Sequence, residues 1–181
     1  TYSNSAILHH ATRSDFSYNR MDLQFTRYQR LFPGHKMIAS LRLASYEGQT
    51  QFRSDSLGTL LPRDQFLLDA GGYGSLRGYR YREFENGNRL AVFTLDYFFS
   101  GGLFKTFNLV LFGDAGRVWT AGTSKSFAGF GGARLKNFQA DAGAGVALAE
   151  YLRLDWAFPL KKGIATKRGG SKVYFRMTLK L

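Results

Sequence analysis

Apolar and polar side chains alternate with a period of two residues along several segments of this chain. From Lys172 to Leu181 every second residue is apolar, and the residues between them are Lys, Tyr, Arg and Thr. The same period recurs in residues 20–26, 37–43, 91–97 and 152–158. A period of two places successive side chains on opposite faces of a β-strand. No segment of comparable length carries the stripe of an amphipathic helix, so we predict an all-β chain.

The alternation predicts eight antiparallel strands in a single domain of residues 1–181. The predicted strands cover residues 15–31, 35–47, 64–70, 89–99, 107–118, 138–149, 151–159 and 172–181. Strands of about ten residues with alternately short and long connections are typical of transmembrane β-barrels. Two connections depart from this pattern, because the tight turn at residues 32–34 falls on the outer side and the connection 48–63 becomes a long periplasmic turn. A soluble barrel would show the same alternation.

The two faces of the predicted strands carry different chemistry. Aromatic residues stand near strand ends, where a girdle at the lipid interface would place them: Tyr97, Phe98, Phe99, Trp119, Trp156 and Phe158. The opposite parity carries charged residues: Arg42, Asp96, Arg153, Asp155, Arg176 and Lys180. A lumen filled by water or by a loop tolerates these charges, whereas lipid does not. The pattern therefore favours a membrane barrel over a sandwich with a packed core.

Residues 71–88 form a long connection that begins with the sequence Gly-Gly-Tyr-Gly-Ser-Leu-Arg-Gly-Tyr. Its glycines permit positive φ angles and close backbone approach, which a loop packed into a confined space requires. Arg77 in such a loop needs an acidic partner elsewhere in the chain. The glycines superficially resemble a phosphate-binding loop, but no Gly-Lys-Ser/Thr and no helix follow them.

Three patterns follow one another along the sequence: Leu-Arg-Gly-Tyr at 76–79 after Gly-Gly at 71–72, Phe-Gly-Asp-Ala-Gly at 112–116, and Arg-Leu-Asp-Trp-Ala-Phe-Pro-Leu at 153–160. In this order they resemble the signature loop, the aromatic-x-Asp-x-Gly segment and the penultimate strand of the BamA superfamily of outer-membrane β-barrels, also called the bacterial surface antigen family. The loop positions are Gly71, Gly72, Gly74, Leu76, Gly78 and Tyr79. The wall positions are Phe112, Gly116, Arg153, Asp155 and Pro159. The resemblance implies the carboxy-terminal half of a barrel in the bacterial outer membrane.

The resemblance also implies a role for Arg77. In the family the signature loop folds back into the lumen and its arginine pairs with acids on the wall, so Asp96 and Asp114 are the expected partners. The parity of the residues agrees, because Asp96 shares its face with Thr94 and Asp114 lies opposite the apolar positions of its strand. We therefore expect Arg77 to latch a lumen-inserted loop at residues 71–88. Removing one partner of a buried ion pair costs about 3–5 kcal/mol.

The sequence offers little for catalysis or metal binding. His9 and His10 are adjacent and point apart on any strand, while His35 stands in a turn. Serine, histidine and acidic residues show no interpretable catalytic spacing. We expect no enzyme activity, no metal and no cofactor for this chain.

A net charge of +12, together with 17 Phe and 10 Tyr, invites a nucleic-acid hypothesis. Many of the cations fall in the predicted outer loops instead, so we expect no nucleic-acid partner and rank a soluble basic β protein as the weakest reading. One cluster could contact phosphates of outer-leaflet lipopolysaccharide: Lys161, Lys162, Lys167, Arg168 and Lys172. A solvated loop surface explains the cluster equally well, and charge reversal that left lipopolysaccharide binding unchanged would exclude the contact.

The number of strands constrains the assembly. Three predicted strands precede the signature loop and five follow it, as in the second half of a sixteen-stranded family barrel. A closed eight-stranded barrel is filled by its own side chains and has no space for a loop of about 18 residues. An open sheet in lipid would leave two edges with unsatisfied backbone groups. We expect a second copy, or a missing amino-terminal half, to complete sixteen strands, and we slightly favour the homodimer.

The resemblance implies a function in inserting client polypeptides into the outer membrane or passing them across it, among outer-membrane lipids. The alternative is a pore or membrane anchor for a missing partner domain, such as a patatin-type phospholipase. Neither reading follows from composition or periodicity alone.

Overall fold

The computed structural model describes residues 2–4, 18–48, 68–100, 107–121, 129–148, 152–166 and 170–177. Within these residues no helix is long and apolar enough to span a membrane. Two short 3₁₀ helices, Phe130–Gly132 and Leu135–Asn137, accompany ten strands. The strands are β1 (Tyr2–Asn4), β2 (Tyr18–Phe32), β3 (His35–Gly48), β4 (Leu68–Ala70), β5 (Phe84–Gly87), β6 (Arg89–Phe99), β7 (Phe107–Trp119), β8 (Gln139–Leu148), β9 (Leu152–Pro159) and β10 (Lys172–Met177).

Eight of these strands form one antiparallel sheet in the order β1-β2-β3-β6-β7-β8-β9-β10. This confirms the prediction of an all-β chain with an eight-stranded antiparallel wall. The sheet is not closed, because β1 and β10 each pair on one side only within the described residues. Strands β4 and β5 pair with each other in a separate two-stranded ribbon.

The prediction of a wall strand at residues 64–70 is wrong. Its described part, Leu68–Ala70, forms β4 of the ribbon, and β3 pairs directly with β6 from His35↔Phe99 to Ser45↔Arg89. Leu68 and Ala70 pack into a buried apolar cluster with Leu76 and Tyr79, and the two glycines that follow β4 turn the chain at once. The eighth wall strand is instead β1, which lies among the first fourteen residues, where the periodicity predicted no strand.

This topology separates the connections by length. At one end of the sheet, which we call the short-turn end, lie the strand ends that short connections join: β2 to β3, β6 to β7 and β8 to β9. At the other, the long-loop end, lie the strand ends that long connections join: β3 to β6, β7 to β8 and β9 to β10. The tight turn after Phe32 thus joins the other short turns, and the expectation that it lies on the outer side is wrong. The predicted periplasmic turn at residues 48–63 lies outside the described residues except for Gly48, and β6 is the next described strand of the wall.

One face of the sheet is apolar and exposed. Its side chains stand in register across neighbouring strands, as in the pairs Phe25↔Leu41, Leu41↔Phe93 and Leu154↔Phe175. All five side chains are exposed. An apolar face of this kind, backed by a charged one, is the pattern of a barrel wall in lipid.

The aromatic residues divide between different environments. Trp156 and Phe158 stack with ring centroids 5.4 Å apart and are exposed on the apolar face, as a lipid-facing position requires. Phe98 lies on the charged face, because it alternates with the exposed Phe99. Trp119 is 9% exposed, donates its indole N–H to the backbone oxygen of Gly129 at 3.1 Å, and does not contribute to a girdle.

The two tryptophans provide a test of which face meets lipid. In single-tryptophan variants made by Trp119→Phe and Trp156→Phe, lipids brominated in their acyl chains should quench Trp156 several-fold more strongly than Trp119. The reason is contact, since Trp156 is 54% exposed on the apolar face and Trp119 is covered. Fluorescence of the protein in vesicles measures this, and equal quenching of the two variants would contradict the assignment of the faces.

Candidate functional site

The glycine-rich loop is folded tightly on itself. Gly71 and Gly72 adopt φ angles of 120° and 89°, and a Cβ atom at Gly71 would lie 2.3 Å from the backbone oxygen of Arg80. The Gly71 N–H donates to the Ser75 hydroxyl at 2.8 Å, and the Gly72 N–H donates to the Leu76 carbonyl at 3.0 Å. These turns give the loop a fixed shape before it meets the sheet.

Two apolar side chains anchor the loop. Leu76 and Tyr79 are fully buried in a cluster with residues of β3, the ribbon and β6: Ala44, Tyr46, Leu68, Ala70, Leu90 and Val92. Gly116 on β7 leaves room for this packing, because a Cβ there would lie 2.9 Å from Val92 and 3.4 Å from Leu76. The Tyr79 hydroxyl lies 3.0 Å from the backbone oxygens of both Ala140 and Lys161.

Gly78 brings the loop backbone against the wall. A Cβ atom at this position would stand 2.6 Å from the Asp141 Cβ and 2.8 Å from the Pro159 nitrogen, so only glycine fits. Gly74 is different, because nothing lies within 4 Å of its Cβ position. It borders a cavity of about 640 Å³ on the charged face.

Arg77 points from the loop onto two aspartates of the wall. Its Nε and Nη2 donate to the two carboxylate oxygens of Asp114 at 2.7 and 2.6 Å, and Nη1 donates to Asp96 at 2.8 Å. A third carboxylate, that of Asp155, lies 3.7 Å from Nη1. The side chains of Arg77 and Asp114 are 5% and 0% exposed. The structure thus brings the expected arginine and both expected acids together.

Arg153 extends this group into a network. Its Nη2 donates to Asp96 at 2.9 Å and its Nε to Asp155 at 2.7 Å, so Asp96 is shared by two guanidinium groups. Burial opposes the charge on Arg77, but the hydrogen-bonded carboxylate of Asp114 and the charge of Asp96 outweigh it and raise the pKa of Arg77. The loop therefore carries a permanent positive charge into the wall.

The guanidinium group of Arg77 also contacts an aromatic ring. The guanidinium carbon of Arg77 lies 3.8 Å from the ring centre of Phe112, an arrangement that favours a cation. The ring itself covers Gly143 on β8, where a Cβ atom would stand 2.3 Å from Phe112. Motif residues from the loop, β7 and β9 thus meet at one place.

Glu83 is a site residue that sequence reasoning missed. Its carboxylate accepts hydrogen bonds from the backbone N–H of Arg80 at 2.9 Å and from those of Ala165 and Thr166 at 2.8 Å each. The Thr166 hydroxyl donates to it as well. Glu83 thus joins the glycine-rich loop to the loop that follows β9. No local pattern marks it, because its partners Ala165 and Thr166 lie more than eighty residues away.

A second missed residue is Arg89, at the start of β6. Its side chain is fully buried, pairs with Glu47 of β3, and donates to the Asn88 carbonyl at 2.8 Å. The signal in the sequence was a lone arginine opening an apolar strand. It joins the start of β6 to the end of β3 through Glu47.

The structure divides the predicted lysine cluster. Lys161 and Lys162 are both exposed, and Lys172 is half-buried. Lys161 donates to the backbone oxygens of Lys136 and Phe138 at 3.0 and 2.6 Å. Lys167 and Arg168 lie outside the described residues. Among the residues that the structure describes, no group of histidine and acidic side chains is arranged to hold a metal ion.

Comparison with known structures gives similar folds at low sequence identity. The crystal structure of BamA from Haemophilus ducreyi lacking POTRA domains 1–3 matches with a TM-score of 0.56 and 19% identity, over 88% of this chain and 34% of that one. CdiB from Acinetobacter baumannii matches with a TM-score of 0.50 and 16% identity, over 90% of this chain and 27% of that one. The chain thus spans about a third or less of these proteins.

No curated protein sequence matches the chain significantly. The family model of the Omp85 superfamily domain, by contrast, matches residues 3–180. This match covers nearly the whole sequence and confirms the resemblance carried by the three motifs. The chain therefore belongs to the Omp85 superfamily.

Proposed function

We propose that this chain forms part of a barrel in the bacterial outer membrane that inserts client polypeptides into that membrane or passes them across it. The observation that carries the proposal is the glycine-rich loop of an Omp85 chain, docked on the charged face by Arg77. A loop docked there occupies the space next to the charged face, which a client polypeptide inside the barrel would also contact. Similarity in fold to BamA and CdiB supports the same reading.

Arg77 acts as the latch of this loop. Its partner Asp114 is fully buried, so removal of the guanidinium leaves a carboxylate without its counter-charge. Loss of one partner of a buried pair costs about 3–5 kcal/mol. Leu76 and Tyr79 still hold the loop through apolar packing. The expected consequence is local loosening of the loop, not unfolding of the sheet.

Substitution Arg77→Ala should therefore make the loop more sensitive to protease. Chymotrypsin is the suitable enzyme, because its target residues Tyr79 and Tyr81 are unchanged. The rate of cleavage in the folded protein, followed by mass spectrometry, should rise at least tenfold, with Arg80→Ala as the matched control. Arg80 is an exposed cation of the same loop. Equal cleavage of parent and Arg77→Ala would refute the latch.

Glu83 forms a second fastening that depends on pH. Burial disfavours its charge, but the hydrogen bonds from Thr166, Arg80 and Ala165 outweigh burial and lower its pKa from the ordinary 4.5. A lowered pKa in the folded state stabilises the docked loops above pH 4.5, and the contribution is lost as pH falls through the lowered value. The loop after β9 then loses its acceptor on the glycine-rich loop.

Glu83→Gln should weaken this fastening at neutral pH, because the amide presents a donor where the carboxylate accepts. Hydrogen exchange of Ala165 and Thr166, corrected for the intrinsic rate, should become about tenfold faster, and acid should remove the protection in the parent only. Thr166→Ser keeps the donors and should leave exchange nearly unchanged. Unaltered protection in Glu83→Gln would show that the carboxylate does not fasten the loops.

Closure of the barrel requires strands beyond those described. In the described part of the chain, β1 and β10 leave their outer edges unpaired, and each unpaired backbone group in lipid costs several kcal/mol. We propose that a second copy or further strands of a longer chain pair with these edges.

We propose that exposed Lys162, in the loop after β9, is the first residue to contact lipopolysaccharide. The charge reversal that tests this contact is therefore to be made at Lys162.

Reconstitution tests the function directly. The full-length protein in phospholipid vesicles should accelerate, at least tenfold, the folding of a urea-unfolded small outer-membrane barrel, measured as its heat-modifiable mobility on gels. Arg77→Ala should change this rate and Arg80→Ala should not. Vesicles that conduct ions but give no acceleration would instead favour a pore or membrane anchor for a partner domain. The mass of the same preparation in detergent distinguishes one chain from a pair.

A further inference from the structure

A second cavity opens on the charged face at the short-turn end. Its volume is about 440 Å³, and four of its lining residues are cationic: Arg30 of β2, Lys36 of β3, Arg153 of β9 and Arg176 of β10. No carboxylate lines it among the described residues. We call these four residues the basic vestibule. The neighbouring cavity beside Gly74 is different, since Asp22 and Asp96 line it together with one arginine.

The cations of the basic vestibule stand in like-charged pairs. Arg30 lies directly opposite Lys36 on β2 and β3, and Arg153 lies directly opposite Arg176 on β9 and β10. Like charges in register across neighbouring strands destabilise a sheet. Two such pairs facing one cavity are therefore an unfavourable arrangement unless negative charge is supplied.

The described part of the chain supplies that charge to Arg153 alone, through Asp96 and Asp155. Arg30, Lys36 and Arg176 form no ion pair with any described residue. Lys36 instead lies 5.8 Å from the ring centre of Phe98, and Arg176 lies 5.5 Å from that of Tyr73. Contacts of this kind orient a cation without neutralising it.

We propose that the basic vestibule binds an acidic segment of a polypeptide. Arginine forks recognise carboxylates in a planar, two-point geometry. Lys36 and Arg153 are separated by four strand spacings, which is at most about 19 Å along the wall at about 4.8 Å each. A compact anion does not bridge both pairs, whereas an extended peptide of about six residues does, at about 3.3 Å per residue. The inference rests on the proposed function, because such a segment would belong to a client polypeptide.

Binding is measured without any insertion or passage, so its failure is distinct from failure of the proposed function. The full-length protein in neutral detergent is titrated against a fluorescein-labelled octaglutamate peptide, with labelled octaglutamine as the uncharged counterpart. Arg30→Gln and Arg176→Gln should each weaken octaglutamate binding about fivefold, and Arg176→Lys should weaken binding less than Arg176→Gln, because the charge remains while the two-point fork is lost. Arg27→Gln is the matched control, since Arg27 is an exposed cation of β2 on the opposite face.

Fluorescence anisotropy gives the dissociation constants, and added salt should weaken binding of octaglutamate. Octaglutamine bound as tightly as octaglutamate would overturn the proposal, and so would unchanged binding in both glutamine variants. Inorganic tripolyphosphate serves as a third probe. If it bound with dependence on Arg30 and Arg176 while octaglutamate did not bind, the vestibule would be a small-anion site and the peptide assignment would be wrong.

Discussion

The arrangement of the charged face depends on one buried ion pair, that of Arg77 with Asp114. A charge shielded from water is tolerated only when a counter-charge and hydrogen bonds satisfy it. Meeting that requirement brings the loop backbone into contact with the wall, and the residue after Arg77 must then be Gly78, because any Cβ there would collide with Asp141. The residue before it, Leu76, is fully buried in the apolar cluster that anchors the same loop. Arg77 and Gly78 are thus neighbours in the motif because the first forms the ion pair and the second permits the close approach that the pair requires.

The loop also supplies what the sheet lacks. In a soluble sheet the apolar face builds the core, but here that face is exposed and the charged face is turned inward. The buried apolar cluster forms only because Leu76, Tyr79 and the β4 ribbon bring apolar side chains to the inner face. Packing and ion pairing therefore act on the same loop, since Leu76 and Tyr79 are buried in the cluster while Arg77 between them pairs with the carboxylates.

Local periodicity was sufficient to place Asp96 and Asp114 on the inner face, because strand parity depends only on neighbouring residues. It could not identify Ala165 and Thr166 as partners of Glu83, because they lie in a loop more than eighty residues further along the chain. It also misplaced β4, since an apolar run of a few residues has the same appearance in a wall strand and in a buried ribbon. Trp119 was misassigned for a related reason: what covers it, Gly129 and Phe130, approaches through a long connection.

The separation of short and long connections makes the two mouths of the inner face unequal. At the long-loop end the glycine-rich loop is bound to the loop after β9 through Glu83 and to the wall through Arg77. At the short-turn end the described turn between β2 and β3, residues 33–34, is too short to fold inward. Movement of a molecule along the inner face from one end to the other would therefore require the docked loops to move, whereas movement along the apolar face would not.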